Sequence, residues 1–161
     1  MKALQGPARS IDPRFTCYRL RIRRSPVHGY GVFAVQNIPR GRKVIEYTGE
    51  RINFREARAR YVKIWGPGGT RRVYLFKIKR NHFVDAENGG SGAERVNHGC
   101  DPNLTVRRIR GHLLFFSRRR IRAGEELTLD YRFRPNPIDP IACHCGSSKC
   151  RGTINLPKAK H

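Results

Sequence analysis

The sequence predicts a mainly β domain of the α+β class. Three observations predict it: a strict two-residue alternation near the N-terminus, a succession of short apolar runs with Gly, Pro or Asn nearby, and one segment carrying a helix start signal. The alternation covers residues 18–23. Tyr18, Leu20 and Ile22 fall on one face and Arg19, Arg21 and Arg23 on the other, a half-buried strand whose outer face is an arginine stripe. Further strands are expected at 31–35, 43–47, 73–78, 104–109, 113–117 and 126–129, with Arg110-Gly111 turning a hairpin. The helix is expected to start at Asn53, whose side chain caps the first turn while Glu56 returns the bond, and to run to about Trp65. Gly66-Pro67-Gly68-Gly69 then ends it. Residues 88–92, Asn-Gly-Gly-Ser-Gly, read as a second flexible stretch. Pro135, Pro137 and Pro140 make a stiff link to a C-terminal cysteine cluster, and the basic Lys158-Ala159-Lys160-His161 is an expected disordered tail because nothing in it anchors.

The 161 residues fit one domain, large enough to bury a core of its own. The 34 Lys and Arg against 12 Asp and Glu leave a formal charge of +22, far beyond what solubility requires. That excess predicts attraction to polyanions, nucleic acid or protein already bound to it. The first ten residues lack the apolar run of a secretory signal, and no stretch approaches the length of a membrane span, so an intracellular, soluble protein is expected: cytoplasm or nucleoid in a bacterium, nucleus in a eukaryote. Five cysteines, an odd count, argue against a disulfide framework and for metal binding by the clustered ones.

Three of them cluster as Cys143-His144-Cys145 and Cys150. A structural zinc ion takes four ligands in a closed tetrahedron, so the cluster is one donor short. Cys17 and Cys100 lie upstream, and His144 sits between two of the proposed ligands. By strand register Cys17 falls on the arginine face and reads as an ordinary structural thiol.

Four segments occur in an order that resembles the SET-domain family of protein-lysine methyltransferases. The first is His28-Gly29-Tyr30-Gly31-Val32-Phe33-Ala34, followed by Ile38-Pro39-Arg40-Gly41 and Glu46-Tyr47-Thr48-Gly49-Glu50. The second is Arg95-Val96-Asn97-His98-Gly99-Cys100-Asp101-Pro102-Asn103. The third is Gly124-Glu125-Glu126-Leu127-Thr128-Leu129-Asp130-Tyr131, and the cluster Cys143-His144-Cys145-Gly146-Ser147-Ser148-Lys149-Cys150-Arg151-Gly152 is similar to the family's post-SET zinc motif. A single such string is weak evidence; four in order with compatible spacing are strong.

The resemblance implies a SET-domain fold of small curved sheets with a threaded C-terminal segment near residues 97–100 and a zinc-bound post-SET lid. It divides the chain into an N-terminal extension (1–16), a SET domain (17–134), a post-SET zinc segment (135–154) and a basic tail (155–161). The implied reaction is methyl transfer from S-adenosylmethionine to the ε-amine of a lysine on a protein substrate, a histone or other nucleic-acid-associated basic protein. Tyr131 takes the place of the catalytic tyrosine and Tyr47 a wall of the lysine channel. His28, Gly29, Tyr30, Tyr74, Asn97 and His98 are the implied cofactor contacts. The fourth zinc ligand is implied to be Cys100, joining Cys143, Cys145 and Cys150, with His144 the runner-up; four thiolates would leave the ion structural.

Departures from the family pattern are Glu94-Arg95 in place of the usual Arg-Phe, and Leu129 where an aromatic residue is common. The latter implies that the lysine accepts more than one methyl group. Two other readings of the sequence are a catalytically silent SET-like interaction domain and a basic zinc-containing nucleic-acid-binding module. The second gives no reason for the separated Asn97-His98 and Tyr131 motifs.

Overall fold

A computed structural model describes residues 9–61, 74–136 and 138–158. Among these residues the ten strands are β1 (Leu20–Arg24), β2 (Tyr30–Ala34), β3 (Lys43–Tyr47), β4 (Glu50–Asn53), β5 (Leu75–Lys79), β6 (His82–Asp85), β7 (Asn97–His98), β8 (Leu104–Ile109), β9 (His112–Ser117) and β10 (Thr128–Leu129), with one α-helix, α1 (Phe54–Tyr61), and two short 3-10 turns. They form four small sheets: an antiparallel β1-β2 ribbon, a three-stranded β3-β9-β8 sheet, a three-stranded β4-β6-β5 sheet and a parallel β7-β10 pair. The mainly β architecture expected from the sequence is the one observed.

Where side chains alternate, local pattern and fold agree. Residues 43–47 and 104–109 are strands with the expected bounds. On β9, Leu113, Phe115 and Ser117 point inward while the residues between them are more open. Leu113 and Phe115 join Val32, Ile38, Val44, Ile45, Leu104, Ile121 and Leu127 in one buried cluster on which the small sheets converge.

The N-terminus of α1 is the expected capping box. Asn53 Oδ1 accepts from the Glu56 amide at 3.0 Å and Glu56 Oε2 accepts from the Asn53 amide at 2.8 Å. The helix buries Ala57 and Tyr61; its expected continuation to Trp65 and the glycine-rich stop lie outside the described residues.

Tyr61 and Arg60 meet Asp85, a fully buried carboxylate at the end of β6. The Tyr61 hydroxyl donates to Asp85 Oδ1 at 2.6 Å and Arg60 Nη1 to Oδ2 at 2.9 Å, while the same guanidinium also grips Glu50. This network fastens the helix to the β4-β6-β5 sheet. Removing Asp85 leaves the buried Tyr61 hydroxyl without this acceptor and Arg60 with Glu50 alone. Asp85→Ala is expected to cost about 3–5 kcal/mol, read as a fall of roughly 10 °C in thermal unfolding by circular dichroism; a cost below about 1 kcal/mol would be the figure for an exposed pair and would contradict this role.

Three strands carry little pattern of their own. β4 is Glu-Arg-Ile-Asn, with one apolar residue; β7 has two residues; β6 places only Phe83 and Val84 between polar ends. Their pairing comes from neighbours already in place. The 88–92 segment corrects an expectation, because it is packed and not a flexible linker. Ser91 is fully buried and its hydroxyl donates to Glu46 O at 2.5 Å; its own carbonyl accepts from the Asp12 amide. A Cβ on Gly90 would stand 2.7 Å from Ala86 O, so glycine here serves close approach.

Candidate active site and metal centre

β7 runs parallel to β10, pairing Asn97 with Thr128 and His98 with Leu129. Two segments thirty residues apart in sequence are thereby laid side by side, and each continues into a functional group: β7 toward Cys100, β10 toward Tyr131. The 28–30 loop closes over the same place. Asn97 Nδ2 lies 3.2 Å from the carbonyl oxygens of both His28 and Tyr30 and 2.8 Å from Glu126 Oε1.

Glu126 is the residue that sequence reasoning missed. It appeared there only as part of a motif and of a strand, yet its second oxygen accepts from Ser25 Oγ at 2.9 Å, and Ser25 in turn caps the amide of Val27. The Leu127 amide bonds Val32 O and sets the carboxylate against β2. A Cβ on Gly31 would fall 2.1 Å from Glu126 Oε1, so the glycine of the motif makes room for this carboxylate. Glu126 therefore holds the 25–31 loop and Asn97 in one arrangement. Replacing one oxygen by an amide leaves one acceptor for two donors: the new NH2 must face either Asn97 Nδ2 or a Ser25 hydroxyl that then gives up its donation. Glu126→Gln is expected to loosen the 25–31 loop and lower stability by about 1 kcal/mol in thermal unfolding; an unchanged midpoint would remove Glu126 from the positioning of the loop.

The other expected contacts divide. His98 is buried against Tyr131, ring centroids 5.4 Å apart and edge-on. Tyr30 leads β2 and is 47 % exposed, its ring 5.0 Å from the Arg24 guanidinium and 5.9 Å from that of Arg95. Tyr74 contributes its carbonyl, which receives the Tyr47 hydroxyl at 2.6 Å. Glu94 turns inward, 7 % exposed, and accepts from the Gly92 amide at 2.9 Å.

Tyr47 and Tyr131 share an environment. Tyr47 packs between Phe76 and Phe115, and burial raises its pKa well above the ordinary tyrosine value, with the charges of Glu94, Tyr131 and Asp85 pushing the same way. Tyr131 donates its hydroxyl to Val96 O at 2.9 Å; desolvation raises its pKa too, with Tyr74 and Glu126 adding to the shift. Both phenols stay protonated at neutral pH. They are polar groups with oxygens to offer, not bases.

His98 connects this site to the cysteines. The Tyr131 amide donates to His98 Nδ1 at 3.2 Å, which leaves the ring proton on Nε2, and Nε2 stands 3.3 Å from Cys100 Sγ. Burial keeps the imidazole neutral by lowering its pKa, against the opposing pull of Asp130. The Sγ atoms of Cys100, Cys143, Cys145 and Cys150 all lie within 4.8 Å of one another, and Cys100 and Cys143 are 3.7 Å apart. A tetrahedral ion with Zn–S bonds of about 2.3 Å would separate its sulfurs by about 3.8 Å. The donor set thus fits zinc in chemistry and spacing. Cys17 and His144 are exposed and stand apart from the group.

The surroundings pull the thiols in different directions, and burial raises Cys100 above the ordinary thiol value. The amides of Arg151 and Gly152 donate to Cys100 and Cys150 at 3.3 and 3.4 Å. Burial opposes ionisation of Cys145, but backbone amides of Cys100 and Ser147 and the neighbouring thiols outweigh it and bring its pKa down to about 7. Burial pushes the Cys143 thiol the other way, which a bound cation would reverse. Arg151 completes the link with a two-pronged pair to Asp130, 3.0 and 2.9 Å, directly before Tyr131. The segment is stitched down further on: Asn155 Nδ2 donates to Arg134 O, and the Leu156 amide to Phe133 O.

Fold and site together define a SET domain followed by a cysteine-cluster segment. Residues 29–132 match the SET domain family, and the chain belongs to it. It is 41 % identical over 138 residues, 82 % of its length, to histone-lysine N-methyltransferase trithorax of Drosophila virilis. It is 39 % identical over 160 residues, 94 % of its length, to the H3 lysine-4 specific histone-lysine N-methyltransferase of Schizosaccharomyces pombe. The chain spans only 4 % and 17 % of those two proteins.

Proposed function

We propose that the chain is a protein-lysine methyltransferase that uses S-adenosylmethionine and acts on a histone or another nucleic-acid-associated basic protein. The observation that carries this reading is the convergence of the 28–30 loop, Asn97-His98 and Tyr131 on one place. His28, Gly29, Tyr30, Tyr74, Asn97 and His98 hold the cofactor. S-adenosylmethionine, when bound, supplies an electrophilic methyl group. The substrate amine must be neutral to react, and its burial among Tyr47, Phe76 and Tyr131 favours the uncharged form. Tyr47 and Tyr131, each fixed by donation to a backbone carbonyl, turn their oxygens to the amine and orient its lone pair.

Cys100, Cys143, Cys145 and Cys150 hold a structural zinc ion that keeps residues 135–154 against residues 17–134, with 1–16 an extension and 155–161 a tail. With a charge of +22 the chain repels an isolated basic protein, so nucleic acid is the proposed second partner, in whichever compartment holds it. Among the described residues no helix is long and apolar enough to cross a membrane.

Calorimetry with S-adenosylmethionine is expected to give one saturable site, and turnover on a protein substrate to give methyl-lysine. A nucleic-acid-binding zinc module would give no heat, and a silent SET-like domain heat without product. Leu129, 5 % exposed beside His98 on β10, leaves the product pattern open to more than one methyl group; mass spectrometry is expected to find dimethyl-lysine at long times, and monomethyl-lysine alone would contradict this.

A further inference from the structure

The arginines that crowd residues 107–122 look in sequence like one polyanion-binding run. The β8-β9 pairing divides them. Arg108 faces Leu113 near one end of the ribbon and Leu104 faces Ser117 at the other, four residues or about 14 Å away along the strand. Arg118, Arg119, Arg120 and Arg122 follow that far end, where Arg119 is paired with Glu125 at 2.7 Å. Arg107 lies over the Phe116 ring, 4.4 Å from its centroid.

At the near end the tip of the β8-β9 hairpin meets the β4-β6-β5 sheet, and a cleft of about 400 Å³ opens between them. Arg51, Lys79, His82 and Arg108 line it with Ile78 and Phe83, and among the described residues none of its lining is acidic. The two sheets exchange arginines across it. Arg51 of β4 donates Nη2 to Gly111 O at 2.9 Å, and Arg108 of β8 donates Nε to Lys77 O at 3.1 Å. Each guanidinium is anchored through one N–H on the opposite sheet and keeps further donors for a ligand. His82 is held locally, its Nδ1 3.0 Å from Arg80 O in its own hairpin turn.

We infer that this cleft is a docking site for the phosphate backbone of nucleic acid. Anchored guanidinium forks suit phosphate oxygens, and the Ile78 and Phe83 floor takes the apolar side of a sugar or base. A line of charge suits a phosphate chain better than one carboxylate: Arg80 and Arg110 stand in the two hairpin turns just beyond the cleft cations. The inference rests on the nucleic-acid reading of the charge and is independent of methyl transfer.

The test is fluorescence anisotropy with a fluorescein-labelled DNA duplex and its single strand between about 50 and 200 mM salt. Two variants lose equal charge: Arg51→Gln with Lys79→Gln and Arg108→Gln in the cleft, and Arg118→Gln with Arg120→Gln and Arg122→Gln at the far end. The cleft variant is expected to bind about tenfold or more weakly and to lower the slope of log K against log salt by two to three, the far-end variant to change less than about threefold. Lys79→Glu, which leaves both arginine anchors intact, is expected to weaken binding in the same direction, so a fold defect in the triple variant does not decide the matter. Equal weakening by both triple variants, or a cleft variant that keeps the native DNA affinity and salt slope, would overturn the site. No DNA binding by the native chain at low salt would overturn the charge reading beneath it.

Discussion

Stripping the metal from the proposed four-cysteine centre is expected to weaken S-adenosylmethionine binding by tenfold or more, as well as lowering stability, although none of the four thiolates belongs to the proposed cofactor contacts. The connection is short. Cys100 is two residues beyond His98, whose Nε2 faces its sulfur at 3.3 Å, while Arg151, next to Cys150, holds Asp130 just before Tyr131. An ion that clamps four sulfurs also clamps β7 and the end of β10. Without it, thiols with opposed preferences for their protons must share one space, and the free energy of metal binding is lost from folding. Calorimetry before and after chelation reads the affinity, and Cys150→Ser should reproduce the loss. Cys17→Ser should change neither, since that thiol is exposed and not one of the four. An unchanged cofactor affinity after complete zinc removal would break the connection between the two centres.

Tyr131→Phe is expected to lower methyl transfer by about a hundredfold, the scale of a misplaced reactant. The variant removes one oxygen from a ring whose position is set by other contacts: His98 edge-on at 5.4 Å and Phe133 at 5.5 Å. Its bond to Val96 O is one of ordinary strength, so stability should fall by only about 1 kcal/mol. Cofactor affinity should hold while turnover collapses. Because burial keeps the phenol protonated, the activity of the native chain should show no step attributable to a tyrosine base between neutral pH and pH 9. Turnover by Tyr131→Phe within threefold of the native chain would remove the hydroxyl from the reaction.

Sequence made legible what short-range chemistry decides. The Asn53-Glu56 cap needs only four residues and formed as read, and the β9 alternation needs only one buried face. The cysteine centre was legible once sequence motifs supplied Cys100, and the fold brings that residue to the other three. Features set by distant neighbours were not. β4 and β6 are polar strands whose partners decide them, and Glu126 bonds Ser25 and Asn97, far away in the chain. Glycines at 88–92 read as freedom when they serve contact, since a side chain at Gly90 would meet Ala86 O. The register that sets Arg108 four residues along the ribbon from the end that Arg118 follows is likewise a matter of strand pairing.

The most direct measurement is transfer of a labelled methyl group from S-adenosylmethionine to the proteins of a whole-cell extract, with the marked residue located by mass spectrometry. The account predicts label on lysine ε-amines of nucleic-acid-associated basic proteins, with the native chain and not with Tyr131→Phe. Label on another residue type, or no transfer to any protein by a zinc-loaded chain that binds the cofactor, would contradict it.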